Sequence, residues 1–204
     1  MKATLSLCTA LLAALASAPL FAAPASVGAP APEFSVTDSK GQKHSLSQFK
    51  GKTVVLEWNN PECPFVKKHY GAGNMQQQQA AATKGGAVWL TVNSGAKGKQ
   101  GYMDGAAADA YVKDTGAKPS AYVLDTDGTV GKAYGAKTTP HMYVIDGQGV
   151  LRYAGGIDSV QSADADDIKG ATQYVNQALT ELSAGKPVSV STSQPYGCSV
   201  KYGS

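Results

Sequence analysis

Cys63 is the residue whose type and position carry the most chemical information. It follows a β-branched run and a few turn residues, and Pro64 directly after it suits the first turn of a helix. At a helix start, free amides and the helix dipole stabilise a thiolate, which lowers its pKa from about 8.5 to roughly 3.5–7.5. Lys67 and Lys68, further along this helix, add positive potential. These residues predict a reactive thiol; the alternative is a small apolar residue buried at a helix start.

Cys198 is the second cysteine that bears on redox chemistry. The chain has three cysteines, and Cys8 lies in a segment that we expect to be removed. In an oxidising compartment the remaining two thiols can pair permanently or can cycle between thiol and disulfide. A permanent crosslink over so long a loop contributes roughly 5 kcal/mol if loop entropy alone sets its effect. A core of this size does not need it, and the Pro-, Ser- and Gly-rich surroundings of Cys198 are typical of a mobile arm, so we favour a redox role.

Residues 1–22, which include Cys8, have the pattern of a secretory signal peptide. Lys2 gives a positive start, residues 5–15 form an apolar stretch too short to span a bilayer, and small residues follow. We predict cleavage after Ala22, because the neighbouring sites would leave a proline at the first mature position. No later apolar run is long enough to cross a membrane. The sequence therefore predicts a soluble periplasmic protein without stable membrane insertion.

The composition excludes other classes of protein. The chain has 204 residues, with 18 Lys and Arg against 15 Asp and Glu, and 43% of its residues are hydrophobic. This fraction is too high, and the net charge of +3 too low, for a disordered chain, while the length suits one domain. Arg152 is the only arginine, and no lysine run is dense enough to follow a phosphate backbone. We therefore expect no nucleic-acid partner.

Alternating strand and helix patterns predict how these residues are positioned. Residues 23–33 are an extended Ala/Pro-rich lead-in, residues 34–184 form the domain, and an irregular tail at 185–204 carries Cys198. The predicted strands are 34–36 and 44–46 in an N-terminal hairpin, 53–58, 87–92, 121–125, 141–146 and 150–153. The predicted helices are 64–83 with a weak point at Gly71 and Gly73, 104–115, 130–134 and 171–182. This order predicts an α/β fold with a central mixed β-sheet flanked by helices.

The sequence Thr138-Thr139-Pro140-His141 is the second chemical signal, and it lies directly before a predicted strand. Proline cannot donate to the hydrogen-bond ladder, so Pro140 suits the first residue of that strand. A cis peptide bond is compatible with this position, although it is the minority form of such bonds.

These parts occur in an order that resembles the thioredoxin-like superfamily. The strand–PECPFV–helix segment, with YGAKTTPHMYVIDGQGVLRYAGG downstream, resembles in particular the redoxin branch, which includes alkyl hydroperoxide reductase-like domains and exported thiol-disulfide oxidoreductases. The resemblance extends over roughly residues 28–184. It implies that Cys63 attacks disulfides, that a loop with a cis Pro140 faces it, and that the backbone of Thr139 pairs with the bound partner.

The chain departs from the thioredoxin pattern at the second cysteine. A thioredoxin site has the pattern Cys-x-x-Cys, whereas Val66 occupies the second cysteine position here. The chain therefore resembles the peroxiredoxin-like proteins that keep only the first cysteine, which also carry a GCSVKY-like end, present here at residues 197–202. In the functional interpretation the tail folds back, and Cys198 resolves a mixed disulfide or a sulfenic acid on Cys63.

A peroxidase of the usual design is not expected. Peroxiredoxins place a Thr or Ser three residues before their cysteine, where this chain has Asn60. They also place an arginine before the later strand, where this chain has Pro140. Arg152 follows the hairpin turn, away from Cys63 in the predicted order of elements. Peroxidase activity is therefore the third hypothesis.

A module that binds a protein or copper without catalysis is the second hypothesis. If the fold brings them together, Cys63, His69 and His141 would make a copper-type set, because thiolate and imidazole are ligands that copper prefers. Exported copper-delivery redoxins use Cys-x-x-x-Cys and a later histidine, and the second cysteine is absent here. We predict instead that His141 points outward from its strand beside the proline loop, where it tunes Cys63.

We therefore expect an exported thiol-disulfide oxidoreductase that uses Cys63 as its nucleophile and needs no cofactor. Its expected partners are exported proteins or small-molecule thiols and disulfides, and a separate exported reductant, of unknown identity, regenerates it. The residue types and their order do not fix the direction of electron flow.

Overall fold

The computed structural model describes residues 25–203, and the predicted signal peptide lies outside the described residues. The strands are β1 Ser35–Asp38, β2 Lys43–Ser45, β3 Val54–Trp58, β4 Val88–Asn93, β5 Ala121–Leu124, β6 Thr138–Thr139, β7 His141–Ile145, β8 Leu151–Gly155 and β9 Cys198–Ser199. The α-helices are α1 Pro64–Gly71, α2 Asn74–Lys84, α3 Gly105–Thr115, α4 Thr129–Tyr134 and α5 Tyr174–Ser183. Short 3₁₀ helices occupy Leu46–Phe49 and Asp166–Gly170.

The central sheet has seven strands in the order β2-β1-β5-β4-β3-β7-β8. Strands β3, β4 and β5 are parallel, and the remaining neighbours pair antiparallel, so the predicted mixed α/β fold is confirmed. Strands β3, β4 and β7 are buried along their whole length, because helices or loops cover both faces of the sheet. None of the helices within residues 25–203 combines the length and apolar character needed to cross a membrane.

The two faces of the sheet carry separate hydrophobic cores. Alternate residues of each strand point to opposite faces, so Trp58 and Tyr143 belong to one core, which α4 and the N-terminal hairpin cover. Val55 and Met142 belong to the other core, which α1, α2 and α5 cover. Cys63 belongs to this second core.

The break in the first long helical segment is confirmed. Helix α1 ends at Gly71, and Gly73 adopts a left-handed conformation with φ of +72° before α2 begins at Asn74. Glycine adopts this conformation without the steric penalty of a side chain, which lets the chain change direction here. The turn therefore separates α1 from α2.

The last helix begins three residues later than predicted. Residues before Tyr174 are extended, because Gln173 pairs with Asp158 and the Thr172 amide donates to Ser159 Oγ at 2.9 Å. These tertiary hydrogen bonds hold a segment whose composition alone favours a helix.

The C-terminal tail is irregular, as predicted, but it is packed against the sheet rather than loose. Thr192 forms a bridge to Ala154 at the outer edge of β8. Ser193 Oγ accepts a hydrogen bond from the Gly156 amide at 2.9 Å and contacts Tyr153 Oη at 2.6 Å. These contacts cover the edge of β8 and fix the position of the tail a few residues before Cys198.

The N-cap of α3 provides a test of the local structure. Asp104 accepts a hydrogen bond from the Ala107 amide at 2.9 Å, so we expect Asp104→Ala to lower the free energy of unfolding by about 1 kcal/mol. Asp114→Ala, in the exposed last turn of the same helix, is the matched control and should change stability by less than about 0.5 kcal/mol. Chemical denaturation followed by circular dichroism measures both values. Equal losses would contradict the capping role.

Candidate active site

Cys63 lies at the junction of β3 and α1, where it is the N-cap residue of the helix and Pro64 begins the first turn. Its side chain is fully buried. The thiol donates a hydrogen bond to the carbonyl oxygen of Thr139 at 3.1 Å, and the Val66 amide is directed at the sulfur. The local sequence therefore produces a helix-start thiol with one fixed hydrogen-bond acceptor.

Thr139 and the cis peptide bond to Pro140 form the loop opposite this thiol. Thr138 and Thr139 form β6, which pairs antiparallel with β9 in the tail, with Thr139 opposite Cys198. Thr139 is buried, and its Oγ1 donates to the Cys198 carbonyl oxygen at 3.4 Å. The loop thus contacts Cys63 through one backbone atom and the tail through its strand edge.

Cys198 lies beside Cys63 as a second free thiol, because Cys198 is opposite Thr139 in the β6–β9 pair and the Thr139 carbonyl contacts the Cys63 sulfur. Cys198 is partly exposed, whereas Cys63 is not exposed at all. The tail therefore brings together two cysteines that are far apart in the sequence, within reach for thiol–disulfide chemistry.

The surroundings shift the pKa values of the two thiols in opposite directions. Burial raises the pKa of Cys63, but hydrogen bonds from the Cys198 thiol, the Val66 amide, Thr139 and the Cys198 backbone outweigh it, so the net pKa is lowered. Burial and the neighbouring Cys63 raise the pKa of Cys198 to about 11. Of the two thiols, Cys63 is therefore the one that loses its proton more readily, whereas Cys198 retains its proton to higher pH.

Lys67 and Lys68, which were predicted to stabilise the thiolate, are not among the groups that lower the pKa of Cys63. Lys67 is exposed on the surface of α1. Lys68 is buried and turned toward another loop, where Nζ donates to the Ser162 carbonyl oxygen at 3.0 Å and lies 4.0 Å from Asp158. The lowered pKa of Cys63 thus comes from hydrogen bonds within the site.

The prediction that His141 points outward is wrong. β7 is paired on both sides and covered on both faces, so His141 is buried against Tyr143, with ring centroids 4.5 Å apart. Its Nδ1 accepts a hydrogen bond from the Lys137 amide at 3.2 Å, and burial lowers the pKa of His141 to about 4. It shares this face of the sheet with Trp58, opposite to the core that contains Cys63.

The proposed copper set is not assembled. His69 Nε2 contacts Tyr196 Oη at 3.2 Å, and its Nδ1 faces Asn74 Nδ2 at 2.8 Å, so both ring nitrogens have protein partners. Within residues 25–203, no group of three or more His, Cys, Asp or Glu side chains is arranged to hold a metal ion. Cys63, His69 and His141 therefore do not form a ligand set.

Glu57 is a buried ionisable residue in the strand that leads to Cys63, and the sequence analysis did not single it out. It is fully buried on the face of β3 that carries the core of Cys63. Its two carboxylate oxygens accept five hydrogen bonds, from Tyr70 Oη at 2.7 Å, Asn59 Nδ2 at 3.3 Å, Gln79 Nε2 at 3.0 Å, Trp89 Nε1 at 2.8 Å and Thr91 Oγ1 at 3.0 Å. Burial raises the pKa of Glu57 despite these donors. The available signal was an acidic residue inside an otherwise apolar strand.

A second missed cluster joins the tail to α1. Asp158 Oδ1 accepts a hydrogen bond from Tyr196 Oη at 2.5 Å. Asp158 Oδ2 is buried without a hydrogen-bond partner and lies 4.0 Å from Lys68 Nζ and 3.8 Å from His69 Nε2. We call these four residues the tail latch, because they hold the tail two positions before Cys198.

The positions that distinguish peroxiredoxins have other contacts here. Asn60 Oδ1 accepts a hydrogen bond from the Glu62 amide at 2.9 Å, and Asn60 Nδ2 donates to Gln100 at 3.2 Å. Arg152 pairs with Asp146 at 2.6 Å, at the turn between β7 and β8. Neither side chain is directed at the Cys63 thiol.

The AhpC/TSA family profile matches residues 27–154, which include Cys63 and Pro140. The chain belongs to the AhpC/TSA family. Membership confirms the predicted redoxin-type protein and indicates a redox function in general. The family match ends before the tail, so Cys198 and the tail latch residue Tyr196 lie beyond it.

Solved structures confirm the thioredoxin-like fold of this AhpC/TSA-family chain. An uncharacterized conserved protein from Geobacillus kaustophilus is 25% identical, with a TM-score of 0.77 over 87% of this chain and 93% of that one. A hypothetical protein from Sinorhizobium meliloti 1021 is 23% identical, with a TM-score of 0.71 over 88% and 96%. The thioredoxin domain of a thiol-disulfide oxidoreductase from Bacteroides vulgatus is 18% identical, with a TM-score of 0.52 over 71% and 96%. The comparison with curated proteins found no match.

The hydrogen bond between the two cysteines can be tested by titration. We expect Cys198→Ala to raise the pKa of Cys63 relative to Cys198→Ser, because serine keeps a hydroxyl donor near the thiolate and alanine does not. The measurement is the pH dependence of iodoacetamide alkylation, quantified on the Cys63 peptide by mass spectrometry. Identical pKa values in the two variants would show that residue 198 contributes no hydrogen bond to the thiolate.

Proposed function

We propose that this AhpC/TSA-family protein is an exported thiol-disulfide oxidoreductase whose redox pair is Cys63 and Cys198. The observation that carries the proposal is the contact between two free thiols whose pKa values are shifted in opposite directions. In such a pair one sulfur is ready to attack and the other holds the proton needed by a leaving thiolate.

The proposed cycle reduces an external disulfide. The Cys63 thiolate attacks one sulfur of the substrate, so a mixed disulfide forms, the substrate bond breaks and one substrate thiolate leaves. Cys198 then loses its proton to the leaving group and attacks the Cys63 sulfur, which releases the second substrate thiol. Two electrons have passed from the protein to the substrate, and a Cys63–Cys198 disulfide remains. An external dithiol returns the two electrons; the reverse cycle oxidises a substrate dithiol.

Exported proteins or small-molecule thiols and disulfides are the proposed substrates. The signal-peptide pattern of residues 1–22 supports export to the periplasm, where disulfides persist. The fold shared with the Bacteroides vulgatus thiol-disulfide oxidoreductase domain is compatible with this chemistry. Peroxidase and copper-binding functions have less support, because Arg152 is paired with Asp146 and His69 and His141 have other partners.

A redox titration tests whether the pair cycles. The protein is equilibrated in graded glutathione buffers and alkylated, and intact mass and peptides are measured. We expect a Cys63–Cys198 bond with a potential above roughly −230 mV, the range of labile disulfides. A bond that resists reduction below roughly −300 mV would be a structural crosslink and would contradict the cycle. Alkylation of Cys63 at every potential would show that Cys198 is not its partner.

Turnover assays separate this function from the alternatives. We expect the wild-type protein to turn over a model disulfide and Cys63→Ser to be inactive, because the nucleophile is lost. Stoichiometric copper binding by the reduced protein that disappears in Cys63→Ser, without disulfide turnover, would favour the binding module. Rapid loss of hydrogen peroxide at catalytic protein concentration would favour the peroxidase.

A further inference from the structure

Among the described residues, the tail occupies the strand edge beside the Cys63 sulfur. Cys63 has no exposed surface, and β9, which carries Cys198, pairs with β6 beside it. The backbone edge of Thr138 and Thr139 is already hydrogen-bonded to the tail. A polypeptide that pairs with this edge to bring a sulfur to Cys63 must therefore displace residues 197–199.

The position of Gly197 indicates which residue type can precede a cysteine that pairs with this strand edge. Its φ is +130°, and a Cβ atom there would overlap the carbonyl oxygen of Thr139 and lie 2.8 Å from the Thr139 carbonyl carbon. The same oxygen accepts the hydrogen bond of Cys63, so it has a fixed position. No side chain fits at the residue before the cysteine without moving this loop.

The residue before Gly197 is held in an aromatic pocket. Tyr196 is buried, and its ring packs edge-on against Phe65, with centroids 5.8 Å apart. Its hydroxyl lies 3.2 Å from His69 Nε2 and donates to Asp158 at 2.5 Å. The pocket therefore suits an aromatic residue with a polar tip.

On the other side of Cys198, the tail is anchored again by an aromatic residue. Tyr202 packs over Gly128 and Gly131, where any Cβ atom would collide with its ring, and its hydroxyl donates to the Ala136 carbonyl oxygen at 2.8 Å. Between the anchors, the Val200 amide donates to the Lys137 carbonyl oxygen at 3.0 Å. The groove thus contacts an extended segment on both sides of its cysteine.

We propose that this groove is a peptide-binding surface that selects an extended segment with an aromatic residue and a glycine directly before its cysteine. The chain's own residues 196–202 are its resident ligand, and a partner polypeptide with the same pattern displaces them. The inference rests on the proposed function, because it names the substrate class of the same site. In the displaced state, the Cys63 thiolate attacks the partner's cysteine, the partner's disulfide breaks, and the electron pair leaves on its second sulfur.

Displacement of the tail is tested with a matched pair of glycine variants in the full chain carrying Cys198→Ser. We expect Gly197→Ala to increase the rate of Cys63 alkylation by at least about tenfold, because the strained, colliding side chain forces the tail off its edge. Gly203→Ala is the control, since its Cβ meets only Ala96 at 3.5 Å. Tyr202→Ala, which removes a distant anchor, should act in the same direction as Gly197→Ala. Unchanged rates in both test variants would overturn the inference.

Selectivity is tested with synthetic nonapeptides added to the Gly197→Ala, Cys198→Ser protein. The probe is Gln-Pro-Tyr-Gly-Cys-Ser-Val-Lys-Tyr with its cysteine activated as a thionitrobenzoate mixed disulfide. The controls replace its glycine or its first tyrosine by alanine, and an activated free cysteine reports the intrinsic reactivity of Cys63. We expect the glycine peptide to react on the order of tenfold faster than the alanine peptide, since the added methyl group collides with Thr139.

The outcomes distinguish this inference from the proposed function. Equal rates for the glycine and alanine peptides, with normal reaction of activated cysteine, would overturn the selectivity and leave the oxidoreductase standing. Failure of Cys63 to react with activated cysteine in any variant would overturn both. Thermal unfolding of each variant verifies that the domain is folded in all of these comparisons.

Discussion

The hydrogen bond from the Cys63 thiol to the Thr139 carbonyl oxygen is the contact on which the rest of the site depends. It exists because β3 and β7 are neighbours in the sheet, with Trp58 opposite His141. This register places the turn after β3 beside the loop before β7, and thus brings the start of α1 to the proline loop. The same carbonyl group belongs to the strand edge that binds the tail. The Thr139 carbonyl oxygen therefore contacts the Cys63 thiol and also belongs to the strand that positions Cys198. Both contacts depend on the pairing register of β3 and β7.

The side of the sheet that carries Cys63 also contains buried ionisable groups. Glu57 and the tail latch both place charged or ionisable groups out of contact with water, which is costly unless each group is paired or hydrogen-bonded. Glu57 is satisfied by five donors, whereas Asp158 keeps one oxygen without a hydrogen bond, between Lys68 and His69. Removing one member of such a cluster leaves its partners buried and unpaired, so these positions constrain the structure more than an apolar residue of equal size would.

Much of the fold follows from local sequence patterns, whereas the site depends on side-chain directions that patterns do not contain. The β-branched runs, the glycine break after α1 and the helix start at Pro64 were predictable because each is a local preference. Lys68 was misjudged because five positions along a helix rotate a side chain by roughly 140°, away from the thiol. His141 was misjudged because its strand has neighbours on both sides, which a single strand pattern does not reveal. Glu57 and the tail latch depend on residues distant in sequence, so only the folded chain brings their partners together.

The burial of Cys63 beside the tail affects how readily its sulfur is irreversibly oxidised. An exposed cysteine thiolate is open to oxidants as well as to substrates. Oxidation beyond the sulfenic state is irreversible for sulfonic acid, and is reversed for sulfinic acid only by a dedicated repair enzyme. With the tail in place, oxidants in the surrounding solution reach Cys198 before they reach Cys63. The tail thus slows the reaction of Cys63 with substrates, and it also protects the sulfur from irreversible oxidation while no substrate is bound.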